Sequence, residues 1–277
     1  LINTVAGSAL TLCIVEVDGG VGQLAIHQLI GLEGGIGLAV IPVGGVVRGV
    51  IDEHGTGGDF VCVDINHVNV AIDGCFLRRP ISICDWDDST ILLAYDVVGE
   101  GTEKMSKMLP PQELDILCPL GNGFDISVPS ERPVLLGGGI GTAPLYGLAK
   151  TLMNKGIQPA VVLGFASKER AVLHDLFVDL GLPVYMATVD GSLGTKGFVT
   201  DAYKDAGLDA DYFYACGPSP MLRALCDVMP ISGQLSLETR MACGFGVCAC
   251  CAIKTTNGPA GVCKKGPVFR KEELIWE

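Results

Sequence analysis

Four cysteines near the end of the sequence have the residue type and spacing of metal ligands: Cys243, Cys248, Cys251 and Cys263. The first three form a Cys-x4-Cys-x2-Cys run and the fourth follows downstream, which is the ligand spacing of plant-type [2Fe–2S] centres. Such a cluster carries one electron at a time, so the pattern predicts an electron-transfer protein. A structural zinc site and disulfides are the alternatives for the same cysteines.

The small residues between these cysteines favour a cluster. Gly244, Gly246 and Ala249 would let backbone N–H groups approach the sulfur atoms, where hydrogen bonds tune the reduction potential. Cys250 is a fifth thiol in the same loop, and we expect it to be a small buried residue and not a ligand.

Composition limits the class of protein. A chain of 277 residues with 49% hydrophobic residues predicts a globular protein of about two domains. A net charge of −12 argues against nucleic acid or an anionic membrane as the main partner. The twelve cysteines are irregularly spaced outside the C-terminal group, which favours a reducing compartment, and we expect a cytoplasmic protein without a signal peptide or membrane span.

The composition and the predicted secondary structure change along the chain. Residues 1–57 are rich in Gly, Val and Ile and are hard to assign, with candidate strands at 10–17 and 38–43. Short strands then follow at 60–65, 81–84, 91–98 and 115–118, which predicts a small antiparallel barrel. From residue 132 strands alternate with helices, which predicts a parallel sheet covered by helices. We place the domains at 1–130, 131–237 and 238–277.

The alternating region is predicted in more detail. Its strands are expected at 134–136, 160–163, 183–188 and 212–215, with helices beginning at Pro144, Lys168, Phe198 and Pro220. Two of its strand-to-helix turns could bind phosphate, because glycines expose backbone N–H groups and the helix dipole favours anions. These are the 137–144 turn, with Gly138, Gly139, Gly141 and Thr142, and the Cys216-Gly217-Pro218 turn. Tight turns without a ligand are the alternative.

Arginines mark a third candidate site. Arg78 and Arg79 precede Pro80, Ile81 and Ser82, and guanidinium suits bidentate phosphate binding. Residues 98–102 nearby supply further backbone donors. An exposed, solvated arginine pair is the alternative.

Other polar residues give no sign of acid–base or nucleophilic catalysis, and no catalytic residue is predicted. The four histidines are scattered, and the aspartates after residue 84 resemble a solvated turn. The remaining cysteines are expected in the core: Cys13, Cys62, Cys75, Cys84, Cys118 and Cys226.

Taken together, these motifs resemble the ferredoxin reductase superfamily and, within it, electron-transfer subunits that serve dihydroorotate-oxidising enzymes. The resemblance rests on "LRRPISI" at 77–83, "VVGEGT" at 97–102, "CPLGNGF" at 118–124, "GGGIGTAPL" at 137–145, "CGP" at 216–218, "RMACGFGVCACC" at 240–251 and "VCKKGPVF" at 262–269. It covers residues 58–277 and implies a flavin-binding barrel, an α/β nucleotide domain and a [2Fe–2S] module.

The resemblance also implies roles for individual residues. FAD would be bound by Arg79, Pro80, Ile81, Ser82, Tyr95, Gly101 and Thr102. NAD(H) would be bound by Gly138, Gly139, Gly141, Thr142, Cys216, Gly217 and Pro218. The implied partner is an FMN-containing catalytic subunit that oxidises dihydroorotate to orotate in pyrimidine biosynthesis, with two copies of each subunit in a heterotetramer.

The sequence departs from the family pattern in four places. Asp96 and Ala166 stand where arginines are usual, Cys118 stands where glycine is usual, and residues 1–57 do not follow the family. Two alternatives therefore stay open: a related FAD and [2Fe–2S] reductase subunit of an electron-bifurcating, hydrogenase or sulfite reductase complex, or a non-catalytic subunit without flavin.

Overall fold

The structure is a computed structural model that describes residues 24–25, 29–32, 36–42, 67–86, 90–109, 113–171 and 173–276. It divides into two compact units. Within the described residues, the boundary between them along the chain lies between Pro119 and Leu120. The division into three domains at residues 130 and 237 stays a prediction. The predicted strands at 10–17 and 60–65, and residues His27, His54, Asp87, Asp88, Cys13 and Cys62, lie outside the described residues.

The first unit is built on a seven-stranded sheet with the order β1-β7-β4-β5-β6-β3-β2. The pairings β1–β7, β4–β5, β5–β6, β6–β3 and β3–β2 are antiparallel, which confirms the predicted strand arrangement. The strands are β1 (Leu24–Ala25), β2 (Leu29–Leu32), β3 (Ile36–Pro42), β4 (His67–Ala71), β5 (Arg79–Trp86), β6 (Thr90–Asp96) and β7 (Glu113–Leu120).

One short helix, α1 (Glu100–Met105), follows β6 in this unit. The predicted strand at 91–98 ends two residues early, because the chain turns at Gly99 into this helix. Buried branched side chains of β4, β5 and β6 form the core, as expected for strands with one face inside. They include Val68, Val70, Ile81, Ile83, Ile91 and Leu93.

The second unit contains a seven-stranded sheet with the order β11-β10-β9-β8-β12-β13-β16. Its strands are parallel except β16, which runs antiparallel to β13. The strands are β8 (Pro133–Gly138), β9 (Ala160–Phe165), β10 (Val184–Thr188), β11 (Thr195–Lys196), β12 (Tyr212–Cys216), β13 (Gly233–Ser236) and β16 (Val268–Arg270). Strands β14 (Ala252–Thr255) and β15 (Gly258–Gly261) form a separate hairpin.

Helices cover both faces of this sheet. They are α2 (Ala143–Asn154), α3 (His174–Asp179), α4 (Val199–Ala206), α5 (Ser219–Val228) and α6 (Val262–Lys265). All six residues of β8 are buried, as is typical of a central parallel strand. Val134 and Leu136 belong to one hydrophobic core cluster and Leu135 belongs to the other, so this strand contributes side chains to the cores on both faces of the sheet.

The cysteine-rich segment belongs to the same unit. Cys251, Cys263 and Phe269 are buried in the core cluster that also contains Val134 and Leu136. The C-terminal segment is therefore packed onto one face of the parallel sheet and is not a separate core.

The structure corrects several details. At Lys168 the chain forms only a short 3-10 helix (Lys168–Arg170), and the α-helix begins at His174. Cys84 is buried as predicted, but Cys75 and Cys226 are only half-buried and the side chain of Cys118 is not described. No helix among the described residues is both long and apolar enough to cross a membrane.

Candidate functional site

The four candidate ligand cysteines come together through one loop and one return of the chain. The loop connects β13 to β14 and carries the first three, and the β14–β15 hairpin then leads into α6, which carries Cys263. The Sγ atoms of Cys251 and Cys263 lie 3.3 Å apart, and both side chains are almost fully buried. The backbone N–H of Cys263 also donates to Cys251 Sγ at 3.4 Å.

Cys243 and Cys248 form a second pair. The N–H groups of Val247 and Cys248 donate to Cys243 Sγ at 3.4 and 3.5 Å. Burial opposes ionisation of Cys243, but these donors and the N–H of Phe245 outweigh it and lower the pKa of this thiol to about 6. Burial and the adjacent Cys251 raise the pKa of Cys263 to about 12. One thiolate is thus favoured before metal binding, which requires the others to lose protons.

The backbone of this loop needs small residues, as the sequence predicted. Gly244 and Gly246 have φ values of 73° and 94°, and Ala249 has a φ of 55°. Glycine adopts such left-handed conformations without a steric cost, which explains its presence at two of these positions.

The arrangement fits a two-iron centre. Each iron of a [2Fe–2S] cluster takes two cysteine ligands, and the thiols form two pairs. Among the described residues, no three His, Cys, Asp or Glu side chains are placed to hold one metal ion. None of the described cysteines forms a disulfide. Cys250 is exposed, not buried as predicted, and its thiol lies 3.7 Å from the carbonyl oxygen of Arg240.

The two predicted phosphate loops meet at the carboxyl edge of the parallel sheet. β8 ends at Gly138 and leads through the 3-10 helix Gly139–Thr142 into α2, while β12 ends at Cys216 and leads into α5. The two strands are adjacent and parallel, with Gly137 opposite Cys216. Open α/β sheets bind ligands at this edge.

The two loops pack so closely that there is no room for a side chain at some of their glycine positions. A Cβ atom on Gly141 would lie 2.6 Å from the Cα and N atoms of Gly217, and one on Gly138 would lie 3.2 Å from Pro218. The hydroxyl of Thr142 is buried and has no hydrogen-bond partner within the described structure. This hydroxyl lies beside Gly137, 2.9 Å from the position that a Cβ there would take. Cys216 is buried beside these loops, and burial strongly raises the pKa of its thiol.

The arginine motif lies in the first unit on β5. The structure separates the two arginines: Arg78 makes a two-point ion pair with Asp115, at 2.8 and 2.9 Å, and Arg79 lies against Gly101. A Cβ on Gly101 would collide with the Arg79 guanidinium. Arg79 also donates to the carbonyl oxygen of Leu77. Only Arg79 is thus placed beside the glycine-containing loop.

Thr102 holds that loop together. Its Oγ1 accepts the N–H groups of Val98 and Gly99 at 3.1 and 3.3 Å and donates to the Gly99 carbonyl oxygen at 3.1 Å. Gly101 and Thr102 are buried at the start of α1. A glycine cradle beside a guanidinium fits an anionic group such as a flavin pyrophosphate.

The remaining predicted flavin residues lie on neighbouring strands. Pro80, Ile81 and Ser82 follow Arg79 on β5, and Tyr95 is buried on β6, which pairs with β5. Of the other polar residues, His174 pairs with Asp175 at 2.8 Å and His67 is buried. The sequence did not single out Asp115, because its partner is 37 residues away.

Sequence comparison finds a matching family model and similar full-length proteins. The family model for the iron–sulfur cluster binding domain of dihydroorotate dehydrogenase B matches residues 238–275. The chain is 43% identical over 235 residues to the dihydroorotate dehydrogenase B (NAD(+)) electron transfer subunit of Geobacillus sp., covering 82% of this chain and 89% of that one. It is 46% identical over 206 residues to the subunit of the same name from Listeria monocytogenes, covering 72% and 81%.

Solved structures share the fold. An NADH-dependent reduced ferredoxin-NADP oxidoreductase, studied for flavin-based electron bifurcation, matches with a TM-score of 0.77 and 26% identity, covering 94% of this chain and 92% of that one. Phthalate dioxygenase reductase matches with a TM-score of 0.58 and 16% identity, covering 79% and 69%.

Proposed function

The chain belongs to the family of dihydroorotate dehydrogenase B electron transfer subunits, and we propose that it carries electrons from a dihydroorotate-oxidising, FMN-containing partner subunit to NAD⁺ through a [2Fe–2S] cluster and FAD. The two cysteine pairs, Cys243 with Cys248 and Cys251 with Cys263, are the observation that carries this proposal. Cluster ligation would make the chain an electron carrier.

FAD, when bound, connects the other two carriers, because nicotinamide exchanges two electrons as a hydride and an iron–sulfur cluster takes one. The protein contributes binding, orientation and electrostatics. In the cysteine loop, the N–H groups of Val247 and Cys248 hold the Cys243 sulfur by hydrogen bonds, which also favour its thiolate form.

The proposed FAD site consists of Arg79, Pro80, Ile81, Ser82, Tyr95, Gly101 and Thr102. Arg79 would donate to a pyrophosphate oxygen, and Thr102 would keep the backbone N–H groups of its loop in place. The support is the contact between the Arg79 guanidinium and Gly101.

Substituting Gly101 by alanine is expected to displace the Arg79 guanidinium and weaken FAD binding roughly tenfold or more, because a charge-assisted hydrogen bond is lost. Gly99→Ala is the matched control, since a Cβ there meets nothing within 4 Å. FAD affinity of the two deflavinated variants would be measured by calorimetry. Equal affinities would contradict the role of Arg79.

The proposed NAD(H) site consists of Gly138, Gly139, Gly141, Thr142, Cys216, Gly217 and Pro218. The Thr142 hydroxyl would bond to the ligand, and the glycines would let two backbone segments approach it together. The support is the close packing of Gly141 on Gly217 and the buried, unpartnered Thr142 hydroxyl.

The partner subunit is proposed to dock over the cysteine loop. Phe245 and Val247 stand exposed there, with 47% and 78% of their surface accessible, although both are apolar. Exposed apolar residues beside a redox centre suit a protein interface that shortens the electron path. We further propose a heterotetramer with two copies of each subunit, acting in the cytoplasm.

Val247→Asp is expected to weaken association with the catalytic subunit roughly tenfold or more while leaving NADH-dependent dye reduction unchanged, because a charge would replace an apolar contact. Val178→Asp on α3 is the control, as another exposed valine. Co-purification and sedimentation would measure association. An unchanged complex would place the interface elsewhere.

Co-expression with the catalytic subunit from the same genome tests the proposed function. The purified complex should reduce NAD⁺ when dihydroorotate is added, and removing this chain should abolish that activity. The likeness to a bifurcating oxidoreductase favours a second candidate, a reductase subunit of an electron-bifurcating complex. Reduction of ferredoxin together with a second acceptor by NAD(P)H, without dihydroorotate-dependent activity, would support that candidate.

A further inference from the structure

Lys264 follows the ligand Cys263 on α6, and its side chain reaches across to the cysteine loop. Its Cβ, Cγ and Cδ atoms lie 3.0, 3.2 and 2.6 Å from the position that a Cβ on Gly246 would take. The methylene groups of Lys264 therefore cover the open face of Gly246, although the residue is exposed overall.

Gly246 has a second contact, on its amide side. Its N–H donates to the sulfur of Cys263, and its φ of 94° is a left-handed conformation that favours glycine. Gly246 alone would hold this orientation weakly, because glycine has the largest backbone freedom of any residue. A cover on the opposite face restricts that freedom.

We propose that Lys264 is a positioning residue, whose methylene chain clamps Gly246 so that the Gly246 N–H stays hydrogen-bonded to the sulfur of Cys263. This inference rests on the proposed cluster site. Hydrogen bonds to ligand sulfurs stabilise the more negative, reduced form of a cluster and raise its potential. The clamp consequently tunes the cluster and slows its loss.

Three variants separate the methylene chain from the charge. Lys264→Ala removes the chain and the charge, Lys264→Met removes the charge but keeps an unbranched chain of similar length, and Lys265→Ala removes the neighbouring lysine of the same helix. The carbonyl oxygen of Lys265 accepts a hydrogen bond from Asn122 Nδ2 at 3.0 Å, and this contact survives truncation of the side chain.

The measurements are the midpoint potential of the cluster, by redox titration with EPR detection, and the rate of iron release to a chelator. Lys264→Ala should lower the potential and release iron roughly three- to tenfold faster, which corresponds to the loss of one ordinary hydrogen bond. Lys264→Met and Lys265→Ala should both stay close to the wild-type values.

Two results would overturn the clamp. Wild-type values for Lys264→Ala would show that Gly246 needs no cover, and equal effects of Lys264→Ala and Lys264→Met would assign the effect to charge. If the proposed function itself is wrong, the outcome is different from both of these, because the wild-type protein would then contain no two-iron cluster.

Discussion

Replacing Cys251 with serine is expected to reduce the iron content from about two atoms per chain to an undetectable level and to abolish electron transfer from the partner subunit to NAD⁺. Cys251 is buried, and its sulfur lies 3.3 Å from that of Cys263. A serine hydroxyl is a poor substitute for a thiolate, so one iron would lose half of its protein ligands. Iron analysis and visible absorbance would measure the loss.

Cys250→Ser is the matched control for this prediction. The residue is the neighbour of Cys251 and has the same side chain, but its thiol is exposed and lies beside the carbonyl oxygen of Arg240. This variant should keep its iron, absorbance and activity. A Cys250→Ser protein that lost its iron while Cys251→Ser kept it would reverse the ligand assignment.

Gly141→Ala is expected to weaken NADH binding by at least tenfold and to lower the free energy of unfolding by about 1–3 kcal/mol. The added Cβ would lie 2.6 Å from the backbone of Gly217, so the two glycine loops would have to separate. Both loops are proposed to contact the same dinucleotide, and their separation would remove several contacts together. NADH titration and denaturant unfolding would measure the two effects.

Gly156→Ala separates the loss of binding from the loss of stability. Gly156 has a φ of 80° with open space around it, so alanine there should cost about 1 kcal/mol of stability through backbone strain alone. NADH affinity should be unchanged in this variant. A Gly141→Ala protein that binds NADH normally would contradict the proposed site.

Local patterns were sufficient to predict the parts of the site that lie close together in sequence. The Cys-x4-Cys-x2-Cys run and its glycines form one loop, so spacing alone was sufficient to predict a ligand set, and its role as a cluster site stays a prediction. The two glycine turns were predictable for the same reason, because each joins one strand to the following helix.

Contacts between distant segments were not predictable in this way. Arg78 was grouped with Arg79, but its partner Asp115 is on another strand. The burial of Cys250 was predicted from residue type alone, and the direction of the turn, which makes it exposed, is set by Ala249 at a φ of 55°.

A few elements were missed, and one of them had a usable signal. Asn257-Gly258 is a common hairpin turn sequence and marks the β14–β15 hairpin that returns Cys263 to the loop. Strand β16 has only three residues, so it is too short for periodicity to identify. The cover of Gly246 by Lys264 depends on this return and could not be inferred before it was known.

Anaerobic titration of the purified chain with NADH is the most direct test of electron transfer through this protein. The oxidised protein should show flavin and iron–sulfur absorbance, both should bleach on addition of NADH, and about one unpaired spin per cluster should appear in the EPR spectrum. A colourless protein that contains one zinc ion, or a coloured protein whose spectrum NADH leaves unchanged, would contradict the proposed function.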